Sequence, residues 1–279
     1  MTGNNPLTIN IKGELKTLSK PLVMGILNLT PDSFYSKSRC TGTNAAERAK
    51  DIISQGGDII DIGAYSSRPN AEEITEKEEL RRLREGLETI RSTFPDITIS
   101  VDTFRSTIAK EVVEKFNVNI INDISGGLDP AMFSIVAKLG IPYILMHMRG
   151  TPGTMQNMTY YENITADIIK YFSKKINALH QAGINDIILD PGFGFAKNLE
   201  DNYRLMRELR DLKPFGLPIL AGISRKSMIY QLLHSTPEDS LNGTTALNMM
   251  ALTKGADILR VHDVKECVET IKIFMQTNS

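Results

Sequence analysis

A single unit recurs along this chain and leaves few folds open to it. Four copies are plain: Gly57-Asp58-Ile59-Ile60-Asp61-Ile62-Gly63, Gly140-Ile141-Pro142-Tyr143-Ile144-Leu145-Met146-His147, Gly183-Ile184-Asn185-Asp186-Ile187-Ile188-Leu189-Asp190 and Gly255-Ala256-Asp257-Ile258-Leu259-Arg260-Val261-His262. Each has a glycine, a short connector, an apolar run of strand length and then a polar or charged residue. A helical pattern lies upstream, and the glycine suits the position just past a helix end, where a positive φ costs least without a Cβ. The apolar runs lack clean alternation, which predicts strands buried on both faces, as in a parallel sheet covered by helices. In such folds ligands bind outside the carboxyl ends of the strands.

Extending the pattern gives eight strand–helix units, with runs ending at Asn28, Asp61, Asp102, Asn122-Asp123, Met146-His147, Asp190, Gly222 and Arg260-Val261-His262. Asn44 with Glu47, Thr75 with Glu78, and Thr159 with Glu162 mark helix starts at capping-box spacing. Asp129-Pro130 reads as N-cap and first helical position. Strict alternation with short connections predicts a closed (β/α)8 TIM barrel forming one domain over residues 1–279. Leu7 to Leu18 alternates around Gly13 and predicts a short N-terminal β-hairpin that caps the bottom of the barrel. No Gly-x-Gly-x-x-Gly follows the first strand and no Walker A sequence is present, which counts against the open nucleotide-binding folds.

With 32 Lys+Arg against 33 Asp+Glu, the net charge of -1 offers no basic excess for nucleic acid or an anionic membrane surface. No apolar run approaches membrane-spanning length. Cys40 and Cys267 are too few and too isolated for a zinc site or a disulfide framework, and read as reduced thiols of a cytoplasmic chain.

The strand ends therefore carry the chemistry. Asn28, Asp61, Asp102, Asn122, His147, Asp190, Arg260 and His262, with Lys226 on the loop after strand seven, would converge on one rim. Any one of the Asp or Asn residues could instead close a turn or cap a helix, as Asp102-Thr103 reads when taken alone. Gly222-Ile223-Ser224-Arg225-Lys226-Ser227 and Arg260-Val261-His262 supply hydrogen-bond donors and positive charge where barrels bind phosphate. Lys226 also admits a Schiff-base reading, as in barrel aldolases. In Asp190-Pro191-Gly192-Phe193-Gly194-Phe195, a planar heteroaromatic ring could stack on Phe195 while Asp190 pairs with its N–H donors; core phenylalanines behind a tight turn are the plainer reading. Two long loops, 29–43 with Phe34 and 64–74 with Ser67, Arg68 and Pro69, read as active-site lids.

These residues resemble the dihydropteroate synthases. Met24-Gly25-Ile26-Leu27-Asn28-Leu29-Thr30-Pro31-Asp32-Ser33-Phe34 is similar to that family's opening signature, and Asp61-Ile62-Gly63 through Ser67-Arg68-Pro69 to its second. Ser100-Val101-Asp102-Thr103, Asn122 through Gly127, His147 through Pro152, Asp190 through Phe195, Ser224 through Ser227 and Arg260 through Asp263 follow in the family's order. The resemblance implies condensation of 6-hydroxymethyl-7,8-dihydropterin diphosphate with p-aminobenzoate, giving dihydropteroate and diphosphate. It assigns Asp102, Asn122, Asp190 and Lys226 to the pterin, with Ile124, Met146, Phe195 and Gly222 around the ring. Ser67, Arg68, Arg260 and a cationic His262 take the diphosphate, together with Asn28 as ligand to a Mg²⁺ cofactor. Phe34, Ser67, Pro69, Phe195 and Ser227 form the p-aminobenzoate site, which sulfonamides would share. The loops would close over the pterin diphosphate before the amine enters, and the helices would support a homodimer.

The chain departs from the family in two places. Tyr35-Ser36-Lys37-Ser38 stands where many members carry Asp-Gly-Gly, and Ala64-Tyr65-Ser66 where many carry Gly, an acid or amide, and Ser. Three other readings compete: methyl transfer from methyltetrahydrofolate to a corrinoid, an aldolase using Lys226 covalently, and a pterin-binding relative without catalysis. The set Arg68, Lys226, Arg260 and His262 argues against the first, which needs no diphosphate site.

Overall fold

A computed structural model describes residues 7–11, 13–30, 44–66 and 73–278. An antiparallel pair, β1 (Thr8–Ile11) and β2 (Glu14–Thr17), precedes eight parallel strands. These are β3 (Leu22–Asn28), β4 (Ile59–Gly63), β5 (Ile99–Asp102), β6 (Ile120–Asp123), β7 (Tyr143–Met146), β8 (Ile187–Asp190), β9 (Leu220–Ala221) and β10 (Ile258–Val261). Helices intervene: α1 (Ala45–Ser54), α2 (Glu76–Thr93), α3 (Ser106–Phe116), α4 (Met132–Leu139), α5 (Ile164–Gln181), α6 (Leu199–Arg207), α7 (Ser227–Tyr230), α8 (Leu241–Thr253) and α9 (Val264–Thr277). Strands β3 to β8 pair in chain order, and β10 sits between β3 and β9. The ring closes by a bridge from Leu189 to Ile219, with the Leu189 N–H donating to Pro218 O at 2.8 Å. The expected barrel and hairpin are thus both present. The seventh barrel strand is shorter than the apolar run from Leu217, in part because Pro218 offers the ladder a carbonyl but no N–H.

Alternate residues of a strand face opposite sides. Val23, Leu27, Ile60, Ile62, Val101, Ile121, Leu145, Leu189 and Leu259 point outward into the main core shared with the helices. Met24, Ile59, Ile120, Ile144, Ile188, Leu220 and Ile258 fill the lower interior, where Ile9 and Ile11 of the hairpin join them. The hairpin turns at Gly13 (φ +78°), and the Asn10 N–H donates to Asp186 at 2.8 Å, docking the pair under the barrel. Both strand faces are apolar at this level, which is why the sequence shows no alternation. Two residues further along the same inward columns stand Ile26, Asp61, Asn122, Met146, Asp190, Gly222 and Arg260. The interior therefore changes from oil to charge within one pleat.

Helix starts follow the capping signals only in part. Thr75 accepts from the Glu78 N–H at 3.3 Å, as its spacing predicts. Asn44 makes no such side-chain cap bond. Asp129 accepts from the N–H of Ser106 and of Ala131, both at 2.9 Å, so it caps α3 as well as the turn before α4. Helix α5 begins at Ile164 under an Asn163 cap, not at Thr159. The preceding stretch is held as a loop by Arg149, which bonds Tyr160 O at 2.6 Å, pairs with Asp167 at 3.1 Å and lies 3.8 Å from the Tyr161 ring centroid.

Candidate active site

The charged tier opens upward into a cavity of about 420 Å³. Asn28, Asp102, Asn122, Ile124, Met146, Asp190, Phe195, Gly222, Lys226, Ser227, Arg260 and His262 all line it. Phe34, Ser67, Arg68 and Pro69, and most of the two long loops, lie outside the described residues.

At the floor the Arg260 guanidinium meets two carboxylates: Nε donates to Asp61 Oδ2 at 2.6 Å and Nη2 to Asp102 Oδ2 at 3.2 Å. Asn122 Nδ2 donates to the same Asp61 oxygen at 3.2 Å, which turns its amide oxygen the other way. Asn122 Oδ1 and Asp61 Oδ1 are buried and receive no hydrogen bond among the described residues. Asp190 spends one oxygen on the Gly192 N–H at 2.7 Å. Lys226 Nζ donates to Phe193 O at 2.5 Å and sits 4.6 Å from the Phe195 ring centroid. Met146, Ile124, Met148, Met155 and Ala196 form a small apolar wall against which Phe195 and Phe104 pack. The site is thus an apolar slot beside a row of acceptors, with two cations at its edge. It suits a flat ring rich in N–H donors.

Burial dominates the electrostatics. It pushes the Asp102 carboxyl up to about 8, with Asp61 adding to the rise and Arg260 opposing it. Asp190 is likewise raised by burial, against the pull of Lys226. Lys226 is pushed down to about 8 by burial, partly offset by Asp190. His262 is held well below its usual range by burial and by the neighbouring Arg260, Arg225 and Arg48, so in the free protein it is a neutral hydrogen-bonding group and not the cation expected. Its Nδ1 lies 3.0 Å from Ser224 Oγ.

Several sequence alternatives separate here. Asp102 faces the cavity, while Thr103 does the local work, accepting from the Arg105 N–H at 3.3 Å and donating to buried Glu79 at 2.8 Å. Phe195 lines the slot, whereas Phe193 belongs to the main core. His147 does not join the rim; it is buried behind the wall, 3.2 Å from Lys197 Nζ. Among the described residues no group of three or more His, Cys, Asp or Glu could hold a metal alone. Asn28 Oδ1 and Asp102 Oδ2 flank the bare Cα of Gly63, lying 3.6 and 4.0 Å from where a Cβ would sit. This sparse oxygen set fits Mg²⁺ brought in on a phosphate, since that ion keeps most of its water and phosphate ligands.

Residues 24–262 match the family described as pterin binding enzyme. The chain is 43% identical to the dihydropteroate synthase of Escherichia coli (strain K12) over 271 residues, covering 96% of this chain and 95% of the relative. The chain belongs to the dihydropteroate synthase family. The Haemophilus influenzae dihydropteroate synthase is 40% identical over 263 residues, covering 93% and 95% of the two chains. The Yersinia pestis dihydropteroate synthase, solved with a sulfonamide drug complex, superposes with a TM-score of 0.91 at 41% identity, covering 98% of this chain and 99% of that one. The Xanthomonas albilineans dihydropteroate synthase, solved with 4-aminobenzoic acid, gives 0.89 at 33% identity with 99% of each chain covered.

Against the family pattern, Tyr65 replaces the common acid or amide. It lines the cavity and meets Phe104 edge-on at 5.0 Å, with the Arg105 guanidinium 5.5 Å from its ring centroid. Ser224 of the donor-rich loop lines the site too, as do Thr30, Ser66, Gln156 and Tyr230, to which the sequence assigned no role. Asp61 was visible as a strand end, but its bond to Arg260 was not. Inward parity with Ile59 was the signal available for it.

Proposed function

We propose that this protein joins 6-hydroxymethyl-7,8-dihydropterin diphosphate to p-aminobenzoate, releasing diphosphate and dihydropteroate by an SN1-like route. The observation that carries this reading is the acceptor-rich floor: Asp102, Asp190 and the unmatched Asn122 oxygen beside the Phe195 slot. A pterin presents a row of N–H donors on its amino-pyrimidinone edge, which would satisfy those acceptors. Met146 and Ile124 shield one flank, and Lys226 donates to the ring's remaining acceptors.

The methylene C–O bond breaks and its electron pair leaves with the diphosphate. The methylene carbon becomes cationic and conjugated with the ring. Asp190 and Asp102 both line the cavity beside that carbon, and the developing cation opposes the burial that raises the Asp102 pKa, so the two carboxylates stabilise the charge as it forms. The amine lone pair then forms the C–N bond, and the nitrogen loses its proton to the released diphosphate or to water. Arg260 stands where it can meet leaving-group charge, and His262 becomes protonated more readily once a dianion adjoins it. Asn28 would hold Mg²⁺ on the diphosphate, and that ion would supply further neutralisation of the leaving group. Ser227, with Phe34, Ser67 and Pro69, is assigned to p-aminobenzoate, and Ser67 and Arg68 to diphosphate.

A homodimer accords with the exposed Met250, Ile273 and Met275 on α8 and α9. A cytoplasmic location accords with the buried free thiol of Cys267. The test of function is to incubate the protein with the pterin diphosphate, p-aminobenzoate and Mg²⁺ and follow dihydropteroate. Its absence, with substrates shown to bind, sinks the catalytic reading and leaves a binding protein.

A further inference from the structure

Lys197 is a buried lysine that none of the roles above uses. It is 6% exposed and does not line the cavity. Its Nζ reaches three acceptors: Gly192 O at 2.8 Å, Phe195 O at 2.9 Å and His147 Nδ1 at 3.2 Å. Three acceptors match the three N–H bonds of an ammonium, provided the imidazole nitrogen carries no proton. Burial, with Lys197 and Arg149 beside it, pushes the His147 pKa down to about 2, so the ring is neutral, and an ammonium at Nδ1 selects the tautomer that carries its proton on Nε2. Around Lys197 itself, Asp190 and Asp201 favour the ammonium while Lys226 and Arg149 oppose it; burial is the largest influence and lowers it to about 7.

The segment held in this way is the one that carries the pterin residues. The Gly192 peptide is fixed from both sides: its N–H donates to Asp190 at 2.7 Å, and its carbonyl accepts from the Phe195 N–H at 3.1 Å as well as from Lys197. Gly192 has φ +71°, and a Cβ there would lie 2.1 Å from His147 O, so the turn is pressed against the end of β7. On the cavity side Lys226 takes the Phe193 carbonyl. The turn between Asp190 and Phe195 is thus clasped between two lysines, one facing the ligand and one behind.

We propose that Lys197 is a positioning residue for the pterin site, holding the Gly192 and Phe195 carbonyls from behind so that the Asp190 carboxylate and the Phe195 ring stand ready for the ligand. This rests on the activity proposed above. Lys197→Met keeps the stem and strips the three hydrogen bonds. Calorimetric titration of the folded variant with a pterin, and separately with diphosphate plus Mg²⁺, separates positioning from general damage. Pterin affinity should fall by about tenfold or more, with diphosphate affinity held within about twofold. Equal loss of both ligands, or unchanged pterin affinity, overturns the inference. Should Lys197→Met fail to fold, His147→Phe removes one of the three contacts and keeps a ring edge-on to Tyr171. It should still weaken pterin by about threefold while sparing diphosphate, and unchanged pterin affinity there overturns the inference as well. A wild-type protein that binds no pterin overturns the activity itself, and this inference falls with it.

Discussion

Asp61→Asn tests how the floor of the site is held. The carboxylate is completely buried, and one of its oxygens receives both Arg260 Nε at 2.6 Å and Asn122 Nδ2 at 3.2 Å. The amide is nearly isosteric, so packing survives while the charge is lost. Breaking a buried ion pair by removing one partner costs about 3–5 kcal/mol when the other charge is stranded. Arg260 is not stranded, because Asp102 remains at 3.2 Å, ionises more readily once the Asp61 charge that raises its pKa is gone, and the Arg260 side chain is 18% exposed. The expected loss is therefore smaller, about 1–3 kcal/mol. Denaturant unfolding of both proteins at pH 7 measures it. The guanidinium should also lose its fixed angle, lowering kcat/KM for the pterin diphosphate by about tenfold or more. An unfolding free energy within about 0.5 kcal/mol of wild type, with unchanged kcat/KM, would refute the idea that Asp61 anchors Arg260.

Other consequences follow from the same geometry. Asp190→Asn places a donor against ligand donors and should weaken pterin by about 1–3 kcal/mol in a calorimetric titration, with the fold retained; unchanged binding removes Asp190 from the site. Asp102 has a folded pKa of about 8, above its unfolded value of about 3.9, so the native state holds the extra proton in that window and stability falls as pH rises through it. Asp102→Asn should flatten this fall in Tm between pH 6 and 8, and an identical pH slope in the variant counts against the buried, proton-holding carboxyl. Borohydride added with substrate should trap nothing on Lys226, and a stable secondary-amine adduct would favour the aldolase reading. Changes at Phe34, Ser67 or Pro69 should weaken a sulfonamide more than p-aminobenzoate, and p-aminobenzoate should bind tightly only after the diphosphate ligand; equal losses, or tight binding alone, reject those loops as walls of the site.

The strand ends were legible because all the apolar runs but the seventh, which stops at Gly222, stop at a polar residue, and Asn28, Asp102, Asn122 and Asp190 all line the cavity. What it blurred was direction. His147 and His262 look alike as strand ends, yet His147 stands an odd step beyond inward-facing Ile144 and turns away, while His262 stands an even step beyond Ile258 and faces in. The same parity separates Asn122 in the cavity from Asp123, which closes its own turn by accepting from the Ser125 and Gly127 N–H groups at 2.7 and 3.0 Å. The bonds Asp61 makes were hidden for another reason. Its partners are 199 and 61 residues away in the chain, and only closure of the barrel brings them together. Lys197 carries no periodic or spacing signal, since two of its acceptors are backbone carbonyls and the third, His147, lies 50 residues away in the chain. The start of α5 was misplaced because Arg149 holds the preceding loop through tertiary contacts that no local capping pattern encodes.

The central claim is that the acceptor-lined slot above the barrel floor receives the pterin. A crystal of the protein soaked with the pterin diphosphate and Mg²⁺ tests it directly. The account predicts the amino-pyrimidinone edge against Asp190 and Asn122, the ring on Phe195, and the diphosphate toward Asn28 and His262. A pterin bound outside this cavity, or bound with its donor edge turned to solvent, would contradict it.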